Sequence, residues 1–121
     1  MTARVPNSIS DGSRLEPVIT VGVVAPGVSR TTCEEHLDEL AELVRTAGGA
    51  VIERVVQAPK SLSPSTLIGA GKVEEIRLLV ESTGARCVVF DDELSPGQVK
   101  NLEKALPCKV LDRSGVILDI F

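Results

Sequence analysis

The order of patterns along the chain predicts an α/β fold, with a four-stranded, mainly parallel sheet flanked by about three helices and the start of a further C-terminal helix. Three observations lead there. Short runs rich in β-branched residues (Val18–Val24, Ala50–Val56, Cys87–Phe90 and Lys109–Leu111) alternate with segments of helical periodicity. The runs are apolar at successive positions, as strands buried on both faces require, and do not alternate as in a half-exposed hairpin. Turn chemistry and helix-capping residues separate them, and strands joined through helices pack in parallel with right-handed crossovers.

Residues 1–17 mix Ser, Asn, Asp, Gly and Pro without periodicity and read as a disordered lead-in. The first strand, Val18–Val24, ends at Ala25-Pro26-Gly27. Thr31 or Thr32 is placed to cap the first helix, with Glu34 or Glu35 three residues on in capping-box register. Leu37, Leu40, Val44 and Ala47 then form one apolar stripe, and Gly48-Gly49 stops the helix. In the second strand Glu53-Arg54 interrupts the apolar pairs Val51-Ile52 and Val55-Val56, which places it nearer a sheet edge. A loop bearing Pro59 and Pro64 leads to T-L-I-G-A-G-K-V (Thr66 to Val73), where a strand-like run gives way to a helix that continues from Lys72 to about Thr83 and ends at Gly84. Cys87–Phe90 is wholly apolar and belongs near the sheet centre. Ser95, Pro96 and Gln98 mark a third helix by N-cap, first-turn proline and capping box, with Val99, Leu102 and Leu106 as its buried stripe. After the last strand, Asp112 or Ser114 is placed to cap a segment from Val116 to Phe121.

Composition sets limits on function. The 121 residues suffice for one domain with a real core, and 43% of them are hydrophobic. Phe90 and Phe121 are the two aromatic residues, so recognition of nucleic acid by stacked bases is not expected. A net charge of −4 argues against binding nucleic acid by bulk electrostatics while leaving room for a local basic patch. Cys33, Cys87 and Cys108 are odd in number and widely spaced, which indicates neither a disulfide framework nor a zinc site and suits a reducing compartment. No apolar run is long enough to span a membrane and the N-terminus lacks a signal-peptide core, so a cytoplasmic location is expected.

Candidate chemistry is sparse. The turn at Gly69-Ala70-Gly71-Lys72 invites a phosphate-cradle reading, because a helix start presents N–H groups and a positive dipole end. Its spacing fails the P-loop test: Thr66 stands in place of the first glycine and Val73 in place of the magnesium-binding hydroxyl. The dinucleotide pattern G-x-G-x-x-G fails as well. In an open parallel sheet ligands sit beyond the carboxyl ends of the strands, where Asp91-Asp92-Glu93 and Asp112-Arg113 arrive. Three clustered carboxylates have the chemistry to hold a magnesium ion with its waters, and acidic residues ahead of a helix start are also favoured by the macrodipole alone; the second reading is preferred and no metal site is expected. No nucleophile has a visible base, so no catalytic residue is assigned, and His36 reads as a solvated residue on a polar helix face. Lys72, Lys109 and Arg113 are the cations placed to touch RNA phosphates, or to serve as ordinary solvated charges.

Several ordered stretches resemble the N-terminal domain of the HflX GTPases: D-E-L-A-E-L-V-R-T-A-G-G (Asp38 to Gly49), I-G-A-G-K-V-E-E-I (Ile68 to Ile76), F-D-D-E-L-S-P-G-Q-V-K-N-L-E (Phe90 to Glu103) and V-L-D-R-S-G-V-I-L-D-I-F (Val110 to Phe121). The resemblance implies an α/β subdomain over residues 18–112, with 113–121 beginning a helical subdomain that leads to a P-loop G domain these residues do not contain. It further implies a cytoplasmic, ribosome-associated GTPase that binds the large ribosomal subunit and splits stalled ribosomes, with GTP and Mg2+ held by the G domain. The expected partners are ribosomal RNA and protein together with the helical and G domains, and the expected oligomeric state is a monomer. Members of the family have been associated with ATP binding in this region, which makes Gly69, Gly71, Lys72, Asp91 and Asp92 the nucleotide-site candidates of an alternative, weakly ATP-binding module. A structural oligomerisation domain is a third reading. Two departures stand out against the family pattern: Ala70 where a lysine is often found, and Gly115 where a better helix former is usual.

Overall fold

A computed structural model describes residues 15–59 and 61–118. Eight elements follow in order: β1 (Glu16–Val23), α1 (Arg30–Thr46), β2 (Gly49–Gln57), α2 (Ala70–Thr83), β3 (Cys87–Phe90), α3 (Pro96–Ala105), β4 (Lys109–Asp112) and α4 (Arg113–Leu118). The four strands form a single sheet in the order β2-β1-β3-β4, and every pairing within it is parallel. The α/β class is therefore as the sequence predicts, with the sheet wholly parallel.

The two faces of the sheet are covered separately. Ile19, Val21, Val88 and Phe90 point to one side, where Val73, Ile76 and Val80 of α2 and Leu102 of α3 close over them. Val18, Cys87 and Val89 point to the other, under Cys33, Leu37, Leu40 and Val44 of α1 and Val116 of α4. Alternation of side chains along each strand produces this division, and burial on both faces explains why the strands read as continuous apolar runs. The β3 tetrad is buried at all of its positions, in agreement with its expected central place.

Several boundaries differ from expectation for identifiable reasons. Strand β1 starts at Glu16, two residues ahead of the expected Val18, because Glu16 N–H donates to the Gly48 carbonyl at 3.0 Å. The remainder of the expected lead-in, residues 1–14, lies outside the described residues. Helix α1 is capped by Ser29, whose Oγ accepts from Thr32 N–H at 3.0 Å, and not by Thr31 or Thr32. The helix begins as soon as the chain clears the Pro26-Gly27 turn, where Gly27 has φ of 86°, so both threonines already lie in its first turn. Strand β2 is an edge strand, as its charged interruption suggested, and its pairing with β1 shifts register between Val18 and Ile19. Ile52 is the extra residue, since Val51 and Glu53 face consecutive residues of β1.

The run before the glycine turn is not a strand. Ser63 and Leu67 form an isolated antiparallel bridge, and Leu67 adopts φ of 69°, a conformation uncommon for a branched side chain. Ser63 Oγ accepts from Ser65 and Thr66 N–H groups, and α3 holds the loop from outside: Asn101 Nδ2 donates to the Ser65 carbonyl at 3.0 Å. Helix α2 then starts at Ala70 with Gly69 as N-cap, two residues before the expected Lys72. Helix α3 carries the predicted capping box in full, with Ser95, Pro96 and Gln98 in their expected roles.

Candidate site at the carboxyl edge of the sheet

In the order β2-β1-β3-β4 the connection leaving β1 turns toward β2 and the one leaving β3 turns toward β4, so the crevice between the carboxyl ends of β1 and β3 is the topological switch point. The loop after β1 and the Asp91–Leu94 loop after β3 border it. Asp91 N–H still donates to the Val21 carbonyl at 2.9 Å, which seats its side chain at the end of the sheet. That side chain turns to the α1 side. Arg113 binds Asp91 Oδ1 through Nε at 3.0 Å and also through Nη2, and the same Nη2 donates to the His36 carbonyl at 2.9 Å. His36 Nδ1 lies 3.8 Å from the other Asp91 oxygen. His36 thus borders the cluster from its half-exposed place on α1.

Asp92 is the electrostatic misfit of this edge. Partial burial, reinforced by the neighbouring Asp91 charge, holds its carboxyl above the usual aspartate range despite the opposing influence of His36. Burial and these same two aspartates push the Cys33 thiol up, so Cys33 is an inert apolar residue in the α1 core. A raised carboxyl pKa gives stability that is fully present below the unfolded-state value and is lost as pH rises through the folded-state value. Asp92→Asn is accordingly expected to be more stable than the native chain at neutral pH, with the difference vanishing below the ordinary aspartate value of 3.8. Urea titrations at several pH values measure it.

The glycine turn lies on the other side of the sheet, at the start of α2. Gly69 has φ of −69° and ψ of 160°, ordinary for any residue, and a Cβ at Gly69 or Gly71 would meet nothing within 4 Å among the described residues. Neither glycine is needed by the local backbone or by packing. Lys72 pairs with Glu75 at 2.5 Å and lines a groove of about 710 Å³ between α2 and β2. Val73 is 7% exposed and belongs to the core, so the position where a P-loop would present a hydroxyl to magnesium faces inward. The turn therefore lacks the magnesium-binding hydroxyl of a P-loop.

The structure pairs Asp91 with Arg113, sets Asp92 beside Asp91, and leaves Gly69, Gly71 and Lys72 across the sheet from them. Lys109 opens β4 and Arg113 follows its other end, so only Arg113 of this pair reaches the carboxyl edge. Asp112 is the residue that sequence reasoning undervalued. It caps α4, as one expectation had it, but its second oxygen also accepts from Leu94 N–H at 3.0 Å. No local pattern signals that second bond, because its partners are 18 residues apart.

A profile of the family described as GTP-binding GTPase N-terminal matches residues 34–121. The chain belongs to the HflX GTPase N-terminal family. It is 48% identical over 106 residues to GTPase HflX of Flavobacterium psychrophilum, covering 88% of this chain and 26% of that protein. With GTPase HflX of Escherichia coli strain K12 the identity is 44% over 87 residues, 72% of this chain and 20% of the relative. The chain thus spans between a fifth and about a quarter of these relatives' length. Among solved structures, the crystal structure of SsGBP in complex with GDP superposes with a TM-score of 0.63 at 21% identity, over 86% of this chain and 28% of that one. At that identity the likeness concerns the fold alone. Among the described residues no helix is long and apolar enough to cross a membrane, and no group of His, Cys, Asp or Glu is arranged to hold a metal ion.

Proposed function

We propose that this domain docks an HflX-type GTPase onto the large ribosomal subunit in the cytoplasm, as a monomeric platform that positions the helical and G domains. GTP and Mg2+ belong to that G domain, and ribosome splitting to the whole protein. Family membership carries this reading. The glycine turn supports a place of contact: Gly69 and Gly71 leave bare backbone at a helix start, where the fold itself has no use for glycine. Docking there depends on close approach of a partner more than on charge, since Lys72 and Arg113 are each committed to a carboxylate within the chain.

One substitution separates binding from folding. Gly71→Ala is expected to raise stability by about 0.5–1 kcal/mol, because alanine is the better helix residue and its methyl group meets no neighbour. The same variant is expected to co-sediment less with large ribosomal subunits. A gain in thermal stability accompanied by a loss of binding cannot come from unfolding. Undiminished co-sedimentation of Gly71→Ala would remove the turn from the interface. Absence of any binding by the native chain at low salt, with undiminished binding of a full-length relative lacking the domain, would overturn the docking role itself.

A further inference from the structure

The segment that follows β4 is held in an unusual way. Helix α4 has six residues, of which Val116 alone is buried, while Ile117 and Leu118 are 65% and 87% exposed. One buried valine is a small apolar anchor. Polar contacts supply the rest, and they converge on the loop after β3. Arg113 binds Asp91 and the His36 carbonyl. Asp112 accepts from Leu94 N–H at 3.0 Å with one oxygen and from Gly115 N–H at 2.8 Å with the other. Ser114 Oγ donates to Glu93 Oε2 at 2.9 Å. Three consecutive residues are thus tied to residues 91–94. Gly115 permits the close seating, since a Cβ there would lie 3.2 Å from Leu111 Cδ2 and 3.3 Å from Asp112 Oδ1.

We propose that residues 91–94 and 112–114 form a latch coupling the loop at the switch-point crevice to the position of α4. Whatever engages the Asp91 loop competes for the groups that hold α4, and displacement of α4 releases those groups in turn. Coupling of this kind is reciprocal by thermodynamic necessity. The central pair is partly withdrawn from water, with Asp91 at 12% and Arg113 at 28% side-chain exposure, so removing either partner leaves a poorly solvated charge. The α1 carbonyl at His36 and the carboxylate of Glu39, 4.0 Å from Arg113, also face the guanidinium.

Methyl and amide NMR of the 121-residue chain tests the latch. In the native chain Val116 methyl groups should show contacts to the α1 core. Arg113→Gln should abolish those contacts and shift the Leu94 amide, while Val18 and Val89 at the sheet centre keep their native signals. Asp91→Asn should produce the same pattern from the opposite side, and the double variant should add little to either single one. Ser114→Ala, which removes only the tie to Glu93, should give a smaller loss of the same local kind and covers the case in which the charge variants do not fold. Persistence of Val116 contacts in Arg113→Gln overturns the proposal, as does their absence from the native chain. So does uniform loss of native signals in all the variants, which would make the cluster an ordinary part of the core.

Discussion

Replacing Gly22 with alanine is expected to lower the unfolding free energy by about 1–3 kcal/mol, measured as a reduced midpoint with unchanged slope in urea titrations. The Cβ would sit 2.8 Å from both Cys33 Sγ and Leu37 Cδ1, closer than real Cβ contacts occur. Neither neighbour has room to give. Leu37 is fully buried in the α1 cluster and Cys33 is 4% exposed, so relief requires α1 to lift from the sheet. The backbone at Gly22 is ordinary extended strand, which makes the glycine a matter of close approach and not of conformation. Cys33→Ala in the Gly22→Ala background should recover part of the loss, because it removes one of the two clashing atoms. A full native midpoint in Gly22→Ala would mean that α1 stands farther from the sheet than described.

Thr20→Val is expected to act in the opposite direction, raising stability by about 1–2 kcal/mol. Thr20 lies fully buried in the same strand, and its hydroxyl is without a hydrogen-bond partner among the described residues. It points to the α1 side, two residues from Val18 in one direction and from Gly22 in the other. An unsatisfied buried hydroxyl carries a desolvation cost with nothing to offset it. Valine keeps the β-branched shape and discards that cost. Differential scanning calorimetry of the two chains decides the matter, and a lower transition temperature in Thr20→Val would show that the hydroxyl has a partner after all.

Much of the fold is legible from local pattern. The capping box at Ser95 and Gln98, the helix-ending Gly84 and the apolar stripe of α1 are signals contained within a few residues, and each appears in the structure as read. The α1 cap is instructive because two threonines in capping-box register lost to Ser29. A side chain caps whichever turn the chain begins first, and the Pro26-Gly27 turn decided that. The candidate site was less legible. Asp91, Asp92 and Arg113 were all singled out by position, but their grouping on one side of the sheet and the separate place of Gly69 and Lys72 were not. Strand alternation assigns a face to each side chain, and at loop residues beyond the strand that assignment rests on partners distant in the chain. Arg113 finds Asp91 across 22 residues and His36 across 77.

By itself the sequence determined the α/β class, the order of elements, the edge position of β2, the HflX-type identity and the absence of a P-loop from these residues. All of these rest on periodicity, capping or letter-by-letter motifs, which neighbouring residues express without help from the rest of the chain. The tertiary structure alone decided the bulge at Ile52, the orphaned hydroxyl of Thr20, the inward turn of Val73 and the latch that joins the Asp91 loop to α4. Each of these is set by what stands opposite a residue once the sheet and helices have closed, and sequence spacing carries no record of that.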